Sequence, residues 1–150
     1  MTSEDANPKE SGPKSFSLVA GCLAGVVFSL VIVGIVSGTL SRHIIQIIPV
    51  VVAFILTIRG VEWSSSAALP IFFLWPVLML LIWLFLAGIE GFINGHFTPI
   101  EIAMTIIIGI CCLTGIILSL RSKESVKPAI KTVIFILFLG FQVVAMWKFF

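Results

Sequence analysis

Residues 69–94 have the sequence LPIFFLWPVLMLLIWLFLAGIEGFIN, the longest apolar run in the chain. An α-helix needs about 20 apolar residues to cross the ~30 Å hydrocarbon core of a bilayer, so this run is long enough for one complete span. Glu90 lies near its end, and a carboxylate at the membrane centre would be costly. Because a span that starts at Leu69 reaches the far interface near Gly88, we expect Glu90 at the level of the lipid head groups.

The composition of the whole chain is typical of a membrane-embedded protein. Apolar residues make up 59% of its 150 residues, charged residues only 11%, and the mean hydropathy is +1.23. A soluble domain has about 25% charged residues and could not solvate so apolar a surface. The net charge of +2 is too small to indicate nucleic-acid binding. We therefore expect an integral membrane protein that is embedded in the lipid bilayer.

Short polar breaks divide the chain into five apolar segments. They predict an all-α membrane protein with a single domain, 15–150, in which five transmembrane helices at about 15–38, 40–60, 67–93, 98–120 and 129–150 form a compact bundle. Residues 1–14 have no large apolar side chain after Met1, so they predict a disordered polar tail. Thr98, Pro99 and Glu101 have the spacing of a capping box with proline in the first turn, which indicates the start of the fourth helix.

The positions of Lys and Arg predict the orientation of the bundle. With five spans, seven of these residues fall on one side of the membrane and two, Arg42 and Lys148, on the other. Cytoplasmic loops are enriched in Lys and Arg, so we expect a cytoplasmic N-terminus and an external C-terminus, as in a bacterial cytoplasmic membrane. If the short second span lay in the interface, every later span would be inverted. The seven are Lys9, Lys14, Arg59, Arg121, Lys123, Lys127 and Lys131.

Small residues recur every fourth position in the first span, at Ser17, Gly21, Gly25 and Ser29. This spacing puts them on one helix face, where their size lets another helix backbone approach closely. Two interpretations stay open at this point. The face packs against a helix of the same chain, or it receives a second copy of the chain or another subunit of a larger membrane complex.

Several polar residues are predicted at one end of the bundle, in the outer leaflet or the outer loop. Polar groups in a membrane bundle tend to face one another or a cavity, so their convergence makes a candidate site. The competing interpretation is that they are ordinary interfacial residues at helix ends. Glu101 has a structural role in either case, as part of the capping box. The group comprises Arg42, His43, Gln46, Glu90, His96, Glu101 and Gln142.

The sequence contains no catalytic motif and no metal-ligand spacing that we recognise. Val19 to Cys22 resembles a lipoprotein cleavage site, but the apolar segment before Cys22 is short. Cys111 and Cys112 lie within a span beside Ile and Leu and are expected to be unreactive. A metal site from His43, His96 and a carboxylate is disfavoured, because Glu90, His96 and Glu101 do not share a helix face. We expect no cofactor, no bound metal and no catalytic residue.

Three classes of function follow from these features. The first is a non-enzymatic accessory or assembly subunit that packs through small-residue helix faces. The second is a transporter or channel component with a polar site in the outer leaflet, although no span carries a charge near its middle and no inverted repeat is visible. The third is a membrane enzyme, which would have to rely on Glu90 or His43 alone for acid–base chemistry. The sequence favours the first class.

Overall fold

The computed structural model describes residues 13–89, 97–122 and 124–147. Within them the chain forms five α-helices and no strand. Each helix is long and apolar enough to cross a membrane, so the predicted five-helix transmembrane bundle is confirmed. The predicted tail lies almost wholly outside the described residues, and the predicted orientation stays a prediction. The helices are α1 (Pro13–Val36), α2 (Leu40–Ile58), α3 (Ser64–Leu86), α4 (Pro99–Arg121) and α5 (Pro128–Trp147).

The ends of α3 differ from the prediction of about 67–93. The helix begins at Ser64, so the three serines 64–66 form its first turn instead of a preceding loop. It ends at Leu86, because Gly88 adopts a φ of +74° that only glycine takes up readily. The amide of Gly88 then donates to the Phe85 carbonyl and that of Ile89 to the Leu84 carbonyl, which closes a Schellman motif. The apolar run continues past this point, but the helix does not.

The start of α4 agrees with its sequence signature. Thr98 has an extended backbone, its hydroxyl oxygen accepts a hydrogen bond from the Glu101 amide, and the Glu101 carboxylate accepts one from the Thr98 amide at 2.7 Å. The predicted capping box is therefore confirmed. It satisfies two amide groups that a membrane helix would otherwise leave unpaired at its first turn.

Helix α4 is packed between α1 and α3, and α5 is packed against α2 and α3. Two glycines allow the close approach of α4 to its neighbours. A β-carbon added at Gly25 of α1 would lie 2.7 Å from the Sγ atom of Cys111, and one added at Gly115 of α4 would overlap the ring of Phe72. The core on either side of these contacts is apolar, with Leu23, Val26 and Phe72 fully buried. Shape at these two glycines thus sets how the bundle packs.

Replacing Gly115 with Ala is expected to destabilise the bundle, because the added methyl group has no space beside the Phe72 ring. Overpacking of this kind costs about 1–3 kcal/mol. Gly109→Ala in the same helix is the matched control, since its added methyl group meets nothing within 4 Å. Thermal unfolding in mild detergent should show a lower midpoint for Gly115→Ala only. Equal midpoints for the two variants would contradict the packing described here.

Candidate functional site

The predicted outer-leaflet residues are only partly brought together. Arg42 is exposed, and His43 is half-buried with its Nδ1 atom 3.1 Å from the carbonyl oxygen of Thr39, one turn earlier in the chain. Glu101 is buried and serves the capping box of its own helix. Glu90 and His96 lie outside the described residues. His43 and Glu101 are therefore held by local hydrogen bonds at the starts of two different helices.

One pair from the predicted group does meet across two helices. Gln142 of α5 is fully buried, and its Nε2 atom donates to the backbone carbonyl of Gln46 in α2 at 3.2 Å. Within the described residues the Gln142 Oε1 atom has no partner, and neither has the buried indole N–H of Trp75. The pair joins α5 to α2 inside the bundle.

The four small residues of α1 are divided between two environments. Ser29 is fully buried, and Gly25 lies against Cys111 of α4. Ser17 and Gly21 are exposed, and a β-carbon at Gly21 would meet nothing within 4 Å. The C-terminal half of the series, Gly25 and Ser29, therefore packs within the chain. The N-terminal half, Ser17 and Gly21, faces away from the other helices.

A polar cluster that the sequence did not predict lies at the opposite end of the bundle. The Glu124 carboxylate, in the loop between α4 and α5, accepts a hydrogen bond from the Ser66 amide at 2.9 Å and another from the Ser66 hydroxyl. Lys131 lies 3.5 Å from the same carboxylate and donates to the Glu124 carbonyl at 3.2 Å. Only 4% of the Glu124 side chain is exposed, against 34% for Lys131.

Glu124 takes the place of a missing helix cap. The residue before α3 is Trp63, which supplies no side-chain cap, whereas Ser66 is the third residue of the helix. The amides of a first helical turn need acceptors, and the positive end of the helix dipole favours a carboxylate. Glu124 provides both the hydrogen-bond acceptor and the negative charge, from 58 residues further along the chain. This contact fastens the α4–α5 loop to the start of α3.

Two further serines at the start of α3 have hydroxyl groups for which no described residue is a hydrogen-bond partner. The hydroxyls of Ser64 and Ser65 are buried and unpaired within the described residues, and so is that of Ser119, one turn beyond Gly115 on α4. The cluster is thus rich in hydroxyl groups, but its single carboxylate already accepts from Ser66 and Lys131. The arrangement is suited to holding three helices together.

The described residues provide no metal site, because nowhere do three His, Cys, Asp or Glu side chains converge. All three cysteines are free thiols, with Cys112 buried and Cys22 and Cys111 half-buried. Cys111 contacts Gly25, so it serves as a packing group between α1 and α4.

A groove of about 370 Å³ opens on the surface of the bundle between α3 and α4. Pro76 and Trp83 line it on one side, and Gly109 and Leu113 on the other. The Thr105 hydroxyl at its edge donates to the Ile102 carbonyl and is 3.3 Å from the Trp83 indole nitrogen, which donates to it. The two polar side-chain groups of the lining, the Thr105 hydroxyl and the Trp83 indole N–H, are thus already paired. The groove can accommodate hydrocarbon but offers little to a polar ligand.

Comparison with known proteins does not assign this chain to a family. No family model, curated protein or solved structure matches it significantly. Its function must therefore be inferred from the bundle itself.

Replacing Glu124 with Gln is expected to lower the thermal stability of the bundle. The amide keeps one acceptor for Ser66 but loses the charge that pairs with Lys131 and with the end of α3. Hydrogen bonds to charged groups contribute about 1.5–3 kcal/mol, and Gln should lose part of this. Glu62→Gln is the control, since Glu62 is exposed in the preceding loop. If both variants unfold at the same temperature as the unaltered protein, Glu124 does not cap α3.

Proposed function

We propose that this polytopic membrane protein is a non-enzymatic assembly subunit that binds a partner helix through one side of α1. That side, here called the open face of α1, consists of residues whose spacing places them on one strip of the helix surface. All five are exposed, including 65% of Phe28 and 62% of Ile35. The opposite side of α1 is buried and carries Val19, Leu23 and Val26. The open face consists of Ser17, Gly21, Ala24, Phe28 and Ile35.

The observation that carries this proposal is the environment of Gly21. Glycine is a poor helix former by about 1 kcal/mol relative to Ala, but in a membrane helix its small size lets another backbone approach closely. Gly25 meets this expectation inside the chain, because Cys111 occupies the space above it. Gly21 has no such neighbour, yet Ser17 and Ala24 extend its small surface along the open face. In a bilayer, helices associate by close packing at such small residues.

The N-terminal half of the open face has small side chains and the C-terminal half has large ones. Ser17, Gly21 and Ala24 would let a partner helix approach closely, while Phe28 and Ile35 would contact its side chains further along. This shape suits a helix that crosses α1 near Gly21 at an angle. The partner is a second copy of this chain or a helix of a different membrane subunit, and the experiment below separates these two outcomes.

Substituting Gly21 with Leu is expected to abolish association and to leave the fold intact, because the leucine points into open space within the chain. Gly140→Leu on α5 is the matched control, since that glycine is also exposed without a neighbour within 4 Å. Purification in mild detergent from membranes that contain two differently tagged copies shows whether the copies associate. Mass spectrometry of the purified material then identifies any other subunit.

The proposal predicts that Gly140→Leu retains the partner and Gly21→Leu loses it, with equal thermal unfolding midpoints. Retention of the same partner by Gly21→Leu, or a purely monomeric unaltered protein with nothing bound, would contradict the proposal. A transport function is supported less well. Its predicted site is represented among the described residues by a single interhelical contact, from Gln142 to the Gln46 carbonyl.

A further inference from the structure

The end of the bundle that holds Glu124 carries exposed basic side chains. Arg59 follows α2, Arg121 is the last residue of α4 and Lys127 immediately precedes α5. Because successive helices run in opposite directions, these three helix ends lie on the same side of the bundle. All three side chains are exposed. We refer to Arg59, Arg121 and Lys127 as the basic rim.

The position of Glu124 determines the charge of this surface. Its carboxylate points inward to Ser66 and is paired with Lys131, so it contributes little negative charge to the exterior. Among the described residues of the α4–α5 loop, none presents an exposed carboxylate. Glu62 is the only exposed acidic residue described at this end, against the three cations of the basic rim. The described residues of this surface therefore carry a net positive charge at the level where the helices leave the hydrocarbon.

We propose that the basic rim binds the phosphates of anionic phospholipid head groups. Phospholipid phosphates lie at the membrane interface, which is where the ends of spanning helices place these side chains. Each guanidinium group, of Arg59 and of Arg121, can donate two parallel hydrogen bonds to a phosphate of its own, and Lys127 adds a mobile positive charge. This inference is independent of the partner helix proposed for α1, because it uses the opposite surface chemistry and different helices.

The test uses the full chain in nanodiscs of phosphatidylcholine with or without phosphatidylglycerol. The measured quantities are the thermal unfolding midpoint and the amount of phosphatidylglycerol retained in native mass spectrometry. Ser125 offers a mild way to change the charge, because it is exposed in the same loop and makes no described side-chain contact. Ser125→Glu should weaken phosphatidylglycerol binding about fivefold, as expected for one charge at an anionic surface. Ser125→Gln should bind like the unaltered protein.

A double variant, Arg121→Gln with Lys127→Gln, should weaken binding roughly 25-fold, which is about fivefold for each charge removed. Arg42→Gln is the control, because Arg42 is an exposed arginine at the opposite end of the bundle. It should retain the full effect of phosphatidylglycerol. Soluble glycerol phosphate should not raise the unfolding midpoint, which separates binding of a membrane lipid from binding of free phosphate.

The proposal is overturned if phosphatidylglycerol stabilises Ser125→Glu and Ser125→Gln equally. It is also overturned if Arg42→Gln loses as much binding as the double variant, or if glycerol phosphate alone reproduces the stabilisation. Should the double variant fail to fold, the two Ser125 variants still decide the question, since neither removes a contact that the structure describes.

Discussion

The close approach of α4 to α1 and α3 is the constraint on which the rest of the bundle depends. Lipid tails are as apolar as leucine side chains, so burial of apolar surface does not by itself draw membrane helices together. Dispersion between well-fitted surfaces has to do so, and its strength falls quickly with distance. Gly25 and Gly115 remove the side chains that would hold the backbones apart, and Cys111 and Phe72 fill the space.

The two ends of the bundle are stabilised in different ways. At one end, Thr98, Glu101 and His43 form hydrogen bonds within their own helices or the turns that precede them. At the other end, Glu124 links the start of α3 to the α4–α5 loop, and Lys131 brings α5 into the same contact. A polar contact between helices at the interface aligns their ends. The positive charge of the exposed described residues at that end is left unbalanced, because the Glu124 carboxylate is turned inward.

The number of helices could be predicted from the sequence because the bilayer imposes a minimum length on each apolar segment. Local signals were equally reliable where neighbours in the chain complete them, as in the capping box of Thr98 and Glu101. The end of α3 was harder to predict. Residues 87–89 remain apolar in sequence, and the positive φ of Gly88 rather than polarity ends the helix.

The tertiary contacts could not be read in the same way. The spacing of Ser17, Gly21, Gly25 and Ser29 shows that they share a face. It does not show that α4 packs against Gly25 and leaves Gly21 open. Glu124 is the single acidic residue in a basic loop, and such a residue is usually assigned to solvent. Its pairing with Ser66 depends on which helices are adjacent, and helix spacing alone carries no such information. The sequence features that relate to this contact are an acidic residue in a basic loop and a run of serines that no capping residue precedes.

The register of α1 against α4 can be measured directly with a disulfide. A β-carbon at position 25 would lie 3.9 Å from the β-carbon of Cys111, within the range of about 3.5–4.5 Å that a disulfide requires. In a chain with Cys22→Ser and Cys112→Ser, Gly25→Cys should therefore form an intramolecular disulfide with Cys111 under mild oxidation, detected by peptide mass spectrometry. Gly21→Cys in the same background, one turn away with no neighbour within 4 Å, should not. Absence of the first link, or equal formation of both, would contradict the packing of α4 against α1.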